Sequence, residues 1–230
     1  MSHERRMETQ NHTDQGCPLC HKTDIRHFSR IQERDYLSCR TCRLIFVPAE
    51  QHISADEEKS RYDQHNNHPD DPDYRTFLSR MFLPMHHRLN ARSCGLDFGS
   101  GPGPTLSLMF EEGGHRMAIY DYFYAPTPSA LEQPYDFITA TEVVEHLQRP
   151  GFELERLWSL LNPGGLLGIM TQLVPESTPF ANWYYLKDPT HVSFFSTSTC
   201  EWLAEHWEAE LTFTGHNVML FQKIPADHAA

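Results

Sequence analysis

The chain has 230 residues, of which 39% are hydrophobic and 22% charged, a composition typical of a globular protein with a buried core. Its formal net charge of −12 argues against nucleic acid as a partner, because nucleic-acid affinity rests on lysine and arginine side chains that displace counterions. No apolar run approaches the roughly 20 residues of a membrane span, and the N-terminal sequence does not resemble a secretory signal. We therefore expect a cytoplasmic protein whose substrate is a small molecule or a protein.

Two Cys-x-x-Cys turns lie near the N-terminus, Cys17/Cys20 and Cys39/Cys42, with 18 residues between them. This spacing is typical of a zinc site, because each turn presents two thiolates and two turns complete a tetrahedron around the ion. Four cysteine ligands leave no coordination position for water or substrate, so the zinc is expected to be structural. We predict a zinc ribbon over residues 1–50, of which the first 15 residues are expected to be a disordered lead-in.

The next segment, residues 51–92, is predicted to form helices that pack on, or cover, the domain that follows. A polar stretch over 56–68 is expected to begin the first helix. In the stretch after it, apolar side chains recur with helical spacing at Tyr74, Phe77, Leu78, Met81 and Phe82. The block RYDQHNNH (61–68) is either the solvated end of a helix or part of the lining of an active site.

From residue 93 to residue 230, strand-like and helical segments alternate, which predicts a parallel, doubly wound α/β sheet. The expected strands are 95–99, 115–121, 135–141 and 166–172, with a turn at 162–165. Helices are expected after the glycine-rich loop, over 142–161 and from Ser196. The last apolar stretch, LTFTGHNVMLFQKI, predicts a hairpin that closes the sheet with an antiparallel strand.

The sequence GLDFGSGPGP (95–104) places an acid and three glycines at the end of the first of these strands. It does not fit the dinucleotide fingerprint G-x-G-x-x-G, and it lacks the lysine of a phosphate-binding P-loop. The pattern that remains is D-x-G-x-G-x-G from Asp97 to Gly103, followed by Pro104, a residue suited to the first turn of a helix. A tight strand-to-helix turn that binds no ligand is the alternative interpretation of these glycines.

Together with Asp121 and the segments YDFITATEVVEHL and LNPGGLLGIMT, this loop resembles the class I S-adenosylmethionine-dependent methyltransferases over residues 75–215. The resemblance implies a Rossmann-like sheet and S-adenosylmethionine as cofactor. It implies that Asp97 faces the methionyl ammonium, that the glycines let the backbone approach the methionine part, and that Asp121 binds the ribose hydroxyls. The implied cofactor-binding residues are Asp97, Gly99, Ser100, Gly101, Gly103, Asp121, Tyr122 and Thr141.

One segment departs from the family pattern. Only residues 122–134 separate Asp121 from the next strand, where the family usually has a helix, a strand and a loop. Three prolines in this interval disfavour a full helix. We therefore expect a sheet that is abbreviated after its second strand, with adenine contacts from Tyr122, Phe123 and the strand end 139–141.

The motif Glu142-Val-Val-Glu145-His146 is predicted to begin a helix at the carboxyl edge of the sheet, where open α/β sheets bind ligands. Positions i, i+3 and i+4 of a helix share one face, so both carboxylates and the imidazole would project together. A second histidine, His191, lies on a later loop that is expected to return to the same edge. Glu145, His146 and His191 are therefore the candidate catalytic residues.

Three interpretations of this set stay open. The motif resembles the metal-binding set of small-RNA 2′-O-methyltransferases and of ubiquinone-pathway O-methyltransferases. In that case a divalent cation held by Glu142, Glu145, His146 and His191 would lower the pKa of an acceptor hydroxyl. In the second interpretation, His146 or His191 is a general base without a metal. In the third, the residues are structural and the acid caps a helix.

The resemblance thus implies a methyltransferase that uses S-adenosylmethionine and methylates a small-molecule acceptor, with oxygen as the expected acceptor atom and nitrogen or carbon as the alternatives. The aromatic stretch NWYYLKDPTH (182–191) is expected to form a wall of the acceptor site. Two alternatives stay open. One is an RNA ribose methyltransferase that docks through the zinc ribbon, which the net charge disfavours. The other is a non-catalytic protein that binds the cofactor and recruits a partner.

Overall fold

The computed structural model of the chain describes residues 16–64 and 68–225. The described residues form ten strands and five α-helices, arranged in one sheet of four strands and one of six. Residues 1–15, for which the sequence predicts a disordered lead-in, lie outside these ranges. Within the ranges, every helix is too short or too polar to cross a bilayer.

The smaller sheet is antiparallel and has the strand order β1-β2-β3-β8. Its first two strands, β1 (Ile25–Ile31) and β2 (Arg34–Cys39), form a hairpin, and β3 (Ile45–Phe46) pairs with β2. The fourth strand, β8 (Ser193–Phe194), comes from much later in the chain and pairs with β3. Backbone hydrogen bonds therefore join the cysteine-containing N-terminal segment to the C-terminal part of the chain.

Two helices with clear start signals follow. Helix α1 (Ala55–Tyr62) begins after Ser54, whose hydroxyl accepts a hydrogen bond from a backbone N–H of the first turn. Helix α2 (Pro72–His86) begins after Asp71 in the same way. Such N-caps satisfy donors that otherwise lack a partner inside the helix. The sequence predicts that the stretch 56–68 begins the first helix; α1 starts one residue before this stretch, and residues 65–67 lie outside the described ranges.

The larger sheet has the strand order β5-β4-β6-β7-β10-β9. Its first four strands are parallel: β4 (Cys94–Phe98), β5 (Arg116–Tyr120), β6 (Tyr135–Thr141) and β7 (Leu161–Met170). Strand β10 (Val218–Lys223) runs antiparallel to β7 and forms a hairpin with β9 (Ala209–Thr214). The predicted parallel α/β sheet with a closing antiparallel strand is confirmed.

Helices cover both faces of this sheet. The remaining three are α3 (Thr105–Glu112), α4 (Pro150–Leu160) and α5 (Thr197–His206). Side chains of α2 and α3 share one apolar cluster with one face of the sheet, and side chains of α4 and α5 share another with the opposite face. Contact between α2 and β7 is close, since a Cβ at Gly168 would lie 2.4 Å from the sulfur of Met85. This is the doubly wound arrangement that the alternating pattern predicts.

Two predicted local elements are wrong. The helix expected over 142–161 begins only at Pro150, and a 3₁₀ turn at Val144–His146 precedes it. Glu142 has a φ of 53°, in the left-handed region, which a right-handed helix cannot include. The residues expected to form a turn at 162–165 belong to the first part of β7, where the pairing with β6 is irregular.

The predicted abbreviation of the sheet is confirmed. Between β5 and β6, residues 122–134 contain a single 3₁₀ turn, Pro128–Leu131, and no strand of the six-stranded sheet. The chain reverses directly after β5 through a bridge between Asp121 and Ala125. Strand β5 is consequently the edge of the sheet, and its end lies beside the glycine loop, where the Gly99 N–H donates to the Tyr120 carbonyl (2.7 Å).

Candidate active site

A cavity of about 690 Å³ opens at the carboxyl ends of the parallel strands. Ligands of open α/β sheets bind at this edge. We divide its wall into two sides. The glycine-loop side is formed by residues 98–102 and 120–124, and the histidine side by Glu145, His146, Tyr185, Asp188 and His191. Helix α1 contributes Glu58 and Tyr62 as a cover.

The backbone conformation of the loop and its contact with a neighbouring side chain both require glycine. Gly99 and Gly101 have φ values of 77° and 65°, a region that side chains with a Cβ disfavour. A Cβ on Gly99 would also lie 2.3 Å from a methyl group of Val143. Gly99, Ser100 and Gly101 line the cavity, whereas Gly103 precedes α3 and lies outside the lining.

The Asp121 carboxylate holds this loop in place. Its Oδ2 accepts from the Gly101 N–H (2.9 Å), and its Oδ1 accepts from the N–H groups of Phe123 (2.8 Å) and Tyr124 (3.0 Å). A carboxylate has about four acceptor positions, so Asp121 retains capacity for a further donor such as a sugar hydroxyl. The carboxylate thus joins the glycine loop to the segment after β5.

Asp97 lies behind the loop and is 4% exposed. Its carboxylate accepts from the hydroxyls of Thr139 (2.8 Å) and Ser107 (3.1 Å), which connects β4 with β6 and α3. Burial raises the pKa of Asp97 to about 6, although both hydroxyls oppose the rise. Asp97 does not belong to the cavity lining, so the structure brings it beneath the site, and its contact with a methionyl ammonium stays a prediction.

Some, but not all, of the residues predicted to lie near an adenine line the cavity. Tyr122, Phe123 and Thr141 line the cavity, whereas Thr139 is directed to Asp97 instead. Three charged side chains that the sequence does not predict also line the cavity: Arg149, directly before α4, and Glu153 and Arg156 within it. They reach the cavity because α4 begins eight residues later than the sequence predicts, so the motif at 142–146 carries no signal for them.

On the histidine side, Glu145 is buried and its carboxylate accepts a hydrogen bond from the Tyr185 hydroxyl. That hydroxyl also lies 3.2 Å from the Thr171 hydroxyl. The other carboxylate oxygen, Oε2, has no hydrogen-bond partner among the described residues. A buried polar atom without a partner is costly, so this oxygen is a position where a bound group would be stabilised.

His191 is held in a defined tautomer. Its Nδ1 lies 2.7 Å from the Tyr185 carbonyl. A carbonyl only accepts, so we assign the proton to Nδ1, which leaves Nε2 as the basic nitrogen. The ring lies against that of Tyr185 (4.0 Å between centroids) and 4.8 Å from that of His146. Burial lowers the pKa of His191, which favours the neutral imidazole that a base or a metal ligand requires.

Three of the four predicted metal ligands converge. Glu145, His146 and His191 each offer a ligand atom, and these atoms all lie within 4.8 Å of one another. Glu142 lines the cavity but is outside this group. Helical spacing, on which the prediction depends, does not bring these residues together. Glu145 and His146 lie in the 3₁₀ turn, and His191 comes from another segment.

The two glutamates form an acidic pair in the cavity. Burial raises the pKa of both Glu142 and Glu145, and the charge of Glu145 raises that of Glu142 further. The hydroxyl of Tyr185 opposes the shift at both carboxyls. Acids whose pKa is shifted by burial and a neighbouring charge, and which line a cleft, are common in functional sites.

Helix α1 and the residue after it contact both the histidine side and the glycine-loop side of the cavity. The Tyr62 ring lies edge-on to the His146 ring (5.2 Å), and the Tyr62 hydroxyl donates to Glu58 (2.7 Å). The next residue, Asp63, accepts from the Tyr124 hydroxyl (2.6 Å) on the glycine-loop side. Of the two interpretations of the block 61–68, lining the site therefore holds for Tyr62, while residues 65–67 lie outside the described ranges.

A second convergent group lies in residues 16–50, the segment with strands β1 to β3, which we call the N-terminal module. The sulfurs of Cys17, Cys20, Cys39 and Cys42 all lie within 4.8 Å of one another, and the pairs Cys17–Cys42 and Cys20–Cys39 are 3.4 Å apart. None of the described cysteines forms a disulfide. Four convergent thiols match the donor set of a closed zinc site.

A family model described as a methyltransferase domain matches residues 65–212, which is more than half of the chain. The chain belongs to this family. The match includes the glycine loop, Asp121 and the histidine side, and the predicted membership of the class I S-adenosylmethionine-dependent methyltransferases is confirmed. The matched part of the chain is thus a methyltransferase domain.

Several solved structures have a similar fold. One is an O-methyltransferase family protein from Burkholderia thailandensis (14% identity, TM-score 0.47, 74% of this chain and 63% of that chain covered). Another is the 1,6-didemethyltoxoflavin-N1-methyltransferase from the same organism (16%, 0.47, 86% and 99%). A third is a SAM-dependent methyltransferase from Archaeoglobus fulgidus (15%, 0.49, 65% and 94%). The chain spans less than two thirds of the first of these, and no curated protein matches it in sequence.

Proposed function

We propose that this methyltransferase transfers the methyl group of S-adenosylmethionine to a hydroxyl of a small-molecule acceptor. The proposal is supported by one observation above all, that a single cavity has the glycine loop on one side and Glu145, His146 and His191 on the other. The cofactor supplies a methyl group already activated on a sulfonium ion. The protein then has to align the acceptor, exclude water and accept the proton of the hydroxyl.

The glycine-loop side suits such a cofactor. Gly99 and Gly101 expose backbone to the cavity, Asp121 retains acceptor capacity for a ribose hydroxyl, and Tyr122 and Phe123 offer aromatic faces for a base. The proposed cofactor-binding residues are those that the sequence predicts: Asp97, Gly99, Ser100, Gly101, Gly103, Asp121, Tyr122 and Thr141. Asp97 and Gly103 would act by shaping the loop, since both lie outside the lining.

A hydroxyl is a weak nucleophile, so the histidine side needs a base or a cation. As a base, His191 would accept the proton at Nε2 while the Tyr185 carbonyl holds Nδ1. As a cation site, Glu145, His146 and His191 would hold a divalent ion, which lowers the pKa of a coordinated hydroxyl. The buried Oε2 of Glu145, which has no partner in the part of the chain that the structure describes, favours the cation. Two imidazoles and a carboxylate oxygen form a common ligand set for divalent metals.

The charge of the chain favours a small acceptor. An RNA ribose hydroxyl would suit the same three ligands, but a net charge of −12 opposes binding to a phosphate backbone. The aromatic rings of Tyr62, Tyr74, Phe77 and Tyr185 line the cavity and would give a small acceptor an apolar surface to bind.

Calorimetric titration of the full chain with S-adenosylmethionine and S-adenosylhomocysteine tests the cofactor. We expect one binding site per chain, and absence of binding to folded protein would refute the proposal.

Release of S-adenosylhomocysteine is then followed with panels of phenols, alcohols and amines, with and without Mg²⁺ or Mn²⁺. Methylation of an amine alone would overturn the O-methyl assignment. Tight cofactor binding without turnover of any acceptor would favour the non-catalytic alternative.

We further propose that Cys17, Cys20, Cys39 and Cys42 hold one zinc ion with a structural role. This rests on the convergence of the four sulfurs and on the absence of a fifth ligand among the described residues of that group. A closed thiolate site stabilises a small module that lacks a large core of its own. Elemental analysis should give one zinc per chain, and Cys39→Ser should lose it. A zinc-free wild-type protein that unfolds at the same temperature would contradict the proposal.

A further inference from the structure

The segment that carries His191 is held by an arginine of the N-terminal module. The guanidinium of Arg34, at the first residue of β2, donates to the carbonyls of Pro189 and His191 at 2.8 Å each. It also donates to the carbonyl of Asp188 at 3.5 Å. The planar fork of arginine is suited to several acceptors at once, and here one side chain engages three of four consecutive residues.

A second connection follows directly after His191. The Val47 N–H donates to the Val192 carbonyl (2.9 Å), and the Val192 N–H donates to the Glu145 carbonyl (2.8 Å). Strands β3 and β8 then continue as a pair. The backbone at His191 is therefore fixed between the N-terminal module on one side and Glu145 on the other.

The module itself is packed tightly on the methyltransferase domain. The Gly151 N–H, in the first turn of α4, donates to the Pro18 carbonyl in the first cysteine turn (3.0 Å). A Cβ on Gly151 would lie 2.2 Å from the Leu19 carbonyl oxygen, so the two backbones are in contact. At the other end, β2 leads from Arg34 directly to Cys39 of the cysteine cluster.

We propose that Arg34 is a positioning residue for His191. The N-terminal module is thereby part of the active site and not only a separate docking domain. The inference rests on the proposed role of His191 in methyl transfer. Arg34 acts through the backbone: it holds residues 188–191 in place, and the Tyr185 carbonyl then orients the imidazole. Without the guanidinium, the carbonyls of Pro189 and His191 lose this donor and the imidazole loses its fixed position.

The test uses the full-length, zinc-loaded protein with Arg34→Met and Arg34→Lys. The matched control is Arg40→Met in the same module, where the guanidinium pairs with the exposed Asp24 (3.7 Å). Correlation of the imidazole ¹⁵N and ¹H signals by NMR reports the tautomer of His191 without an acceptor, and His191→Gln assigns its signals. We expect a single Nδ1–H tautomer in the wild type and the control, and a mixture in both Arg34 variants.

Two further readouts separate positioning from folding. Affinity for S-adenosylhomocysteine should stay within about twofold in the Arg34 variants, whereas Mn²⁺ affinity at the histidine side should fall about 10- to 100-fold, as for other groups that orient metal ligands. Once an acceptor is known, kcat should fall by a similar factor with KM for S-adenosylmethionine unchanged. A purely structural arginine would lower thermal stability and leave the His191 tautomer unchanged in the folded fraction.

The outcomes are distinguishable. Wild-type His191 signals in both Arg34 variants would overturn the inference. If Arg34→Met does not fold, Arg34→Lys decides alone, because lysine keeps the charge but cannot reach three carbonyls; a wild-type spectrum would then overturn the inference. Altered His191 signals together with full activity of His191→Gln would leave the positioning intact and refute the proposed role of His191.

Discussion

The glycine-loop side of the cavity is held by contacts between neighbouring strands and turns, whereas the histidine side is held by contacts between segments far apart in the chain. Asp121 binds the N–H groups of Gly101 and of residues two and three positions after itself. By contrast, Tyr185 reaches Glu145 across 40 residues, and Arg34 reaches His191 across 157. One side is built into the sheet, and the other is assembled only when the whole chain has folded.

This difference has a functional consequence. Changes on the histidine side should alter reactivity while the cofactor still binds, because its residues do not support the glycine loop. Changes on the glycine-loop side should alter cofactor affinity and local stability first. The contact between Gly99 and Val143 is where the two sides meet, since Val143 precedes the 3₁₀ turn that carries Glu145.

The largest effect is expected from Glu145→Gln. The amide keeps the shape of the side chain and accepts from Tyr185, but it removes the charge that a cation or an acceptor proton would meet. We expect methyl transfer to fall about 10²- to 10⁴-fold, with the affinity for S-adenosylhomocysteine within about twofold. Single-turnover rates and calorimetry measure the two quantities, with the exposed Glu111→Gln as the control. A parallel loss of cofactor affinity would show that the two sides are not separable.

Gly99→Ala should have the next largest effect. The left-handed backbone costs a residue with a Cβ about 1–2 kcal/mol, and the clash with Val143 adds about 1–3 kcal/mol. We therefore expect a loss of about 2–5 kcal/mol in the free energy of unfolding, measured by urea denaturation, and weaker binding of S-adenosylhomocysteine.

Gly215→Ala is the matched control for this substitution. Gly215 has a φ of 65°, and a Cβ there would meet nothing within 4 Å among the described residues, so it loses only the backbone part. Equal losses in the two variants would mean that Val143 yields and that the packing between the two sides is loose.

Tyr185→Phe comes third. It removes the hydroxyl that donates to Glu145 but keeps the ring against His191 and the carbonyl that orients it. A hydrogen bond to a charged group contributes about 1.5–3 kcal/mol, so we expect methyl transfer to fall about 10- to 100-fold without a change in cofactor affinity. Tyr184→Phe is the control, since the neighbouring Tyr184 is 60% exposed. Equal rates in both variants would show that the Tyr185 hydroxyl does not contribute to methyl transfer.

The same contrast explains what the sequence predicts well. The succession of the parallel strands along the chain, the closing hairpin and the glycine loop follow from hydrophobic periodicity and local turn chemistry. The missing strand after Asp121 is also a local matter, because three prolines stand in an interval too short for a helix and a strand. Such signals are available to an isolated segment, whatever the rest of the chain does.

The histidine side shows where local reasoning fails. Glu142 to His146 satisfy the spacing of a helix, but the Glu142 N–H donates to the Met170 carbonyl at the end of β7, and Val143 packs against Gly99. These tertiary contacts override the local pattern. The sequence nevertheless predicts that the two histidines lie close together, because the carboxyl ends of parallel strands share one edge. The pairing of β3 with β8 and the contacts of Arg34 have no local signal at all.

The smallest effect concerns pH and Asp97. Burial raises the pKa of Asp97 to about 6 from an ordinary value of 3.8, so between these values the unfolded chain loses a proton that the folded protein keeps. Its contribution to stability is fully present below about pH 4 and is lost as the pH rises to about 6. From pH 5 to pH 7 the wild type should therefore lose about 1 kcal/mol more than Asp97→Asn in urea denaturation.

The exposed Asp70→Asn is the control and should keep the wild-type dependence on pH. Equal slopes in wild type and Asp97→Asn would mean that Asp97 is ionised in the folded protein at pH 5.

The same experiment tests whether the methionyl ammonium of the cofactor lies close to Asp97, as the resemblance implies. A cofactor ammonium close to the carboxylate would favour its charged form and lower its pKa, so saturating S-adenosylmethionine should reduce the difference between the two slopes. A difference that the cofactor does not change would leave Asp97 with the role its hydrogen bonds to Thr139 and Ser107 already describe, that of a buried brace beneath the loop.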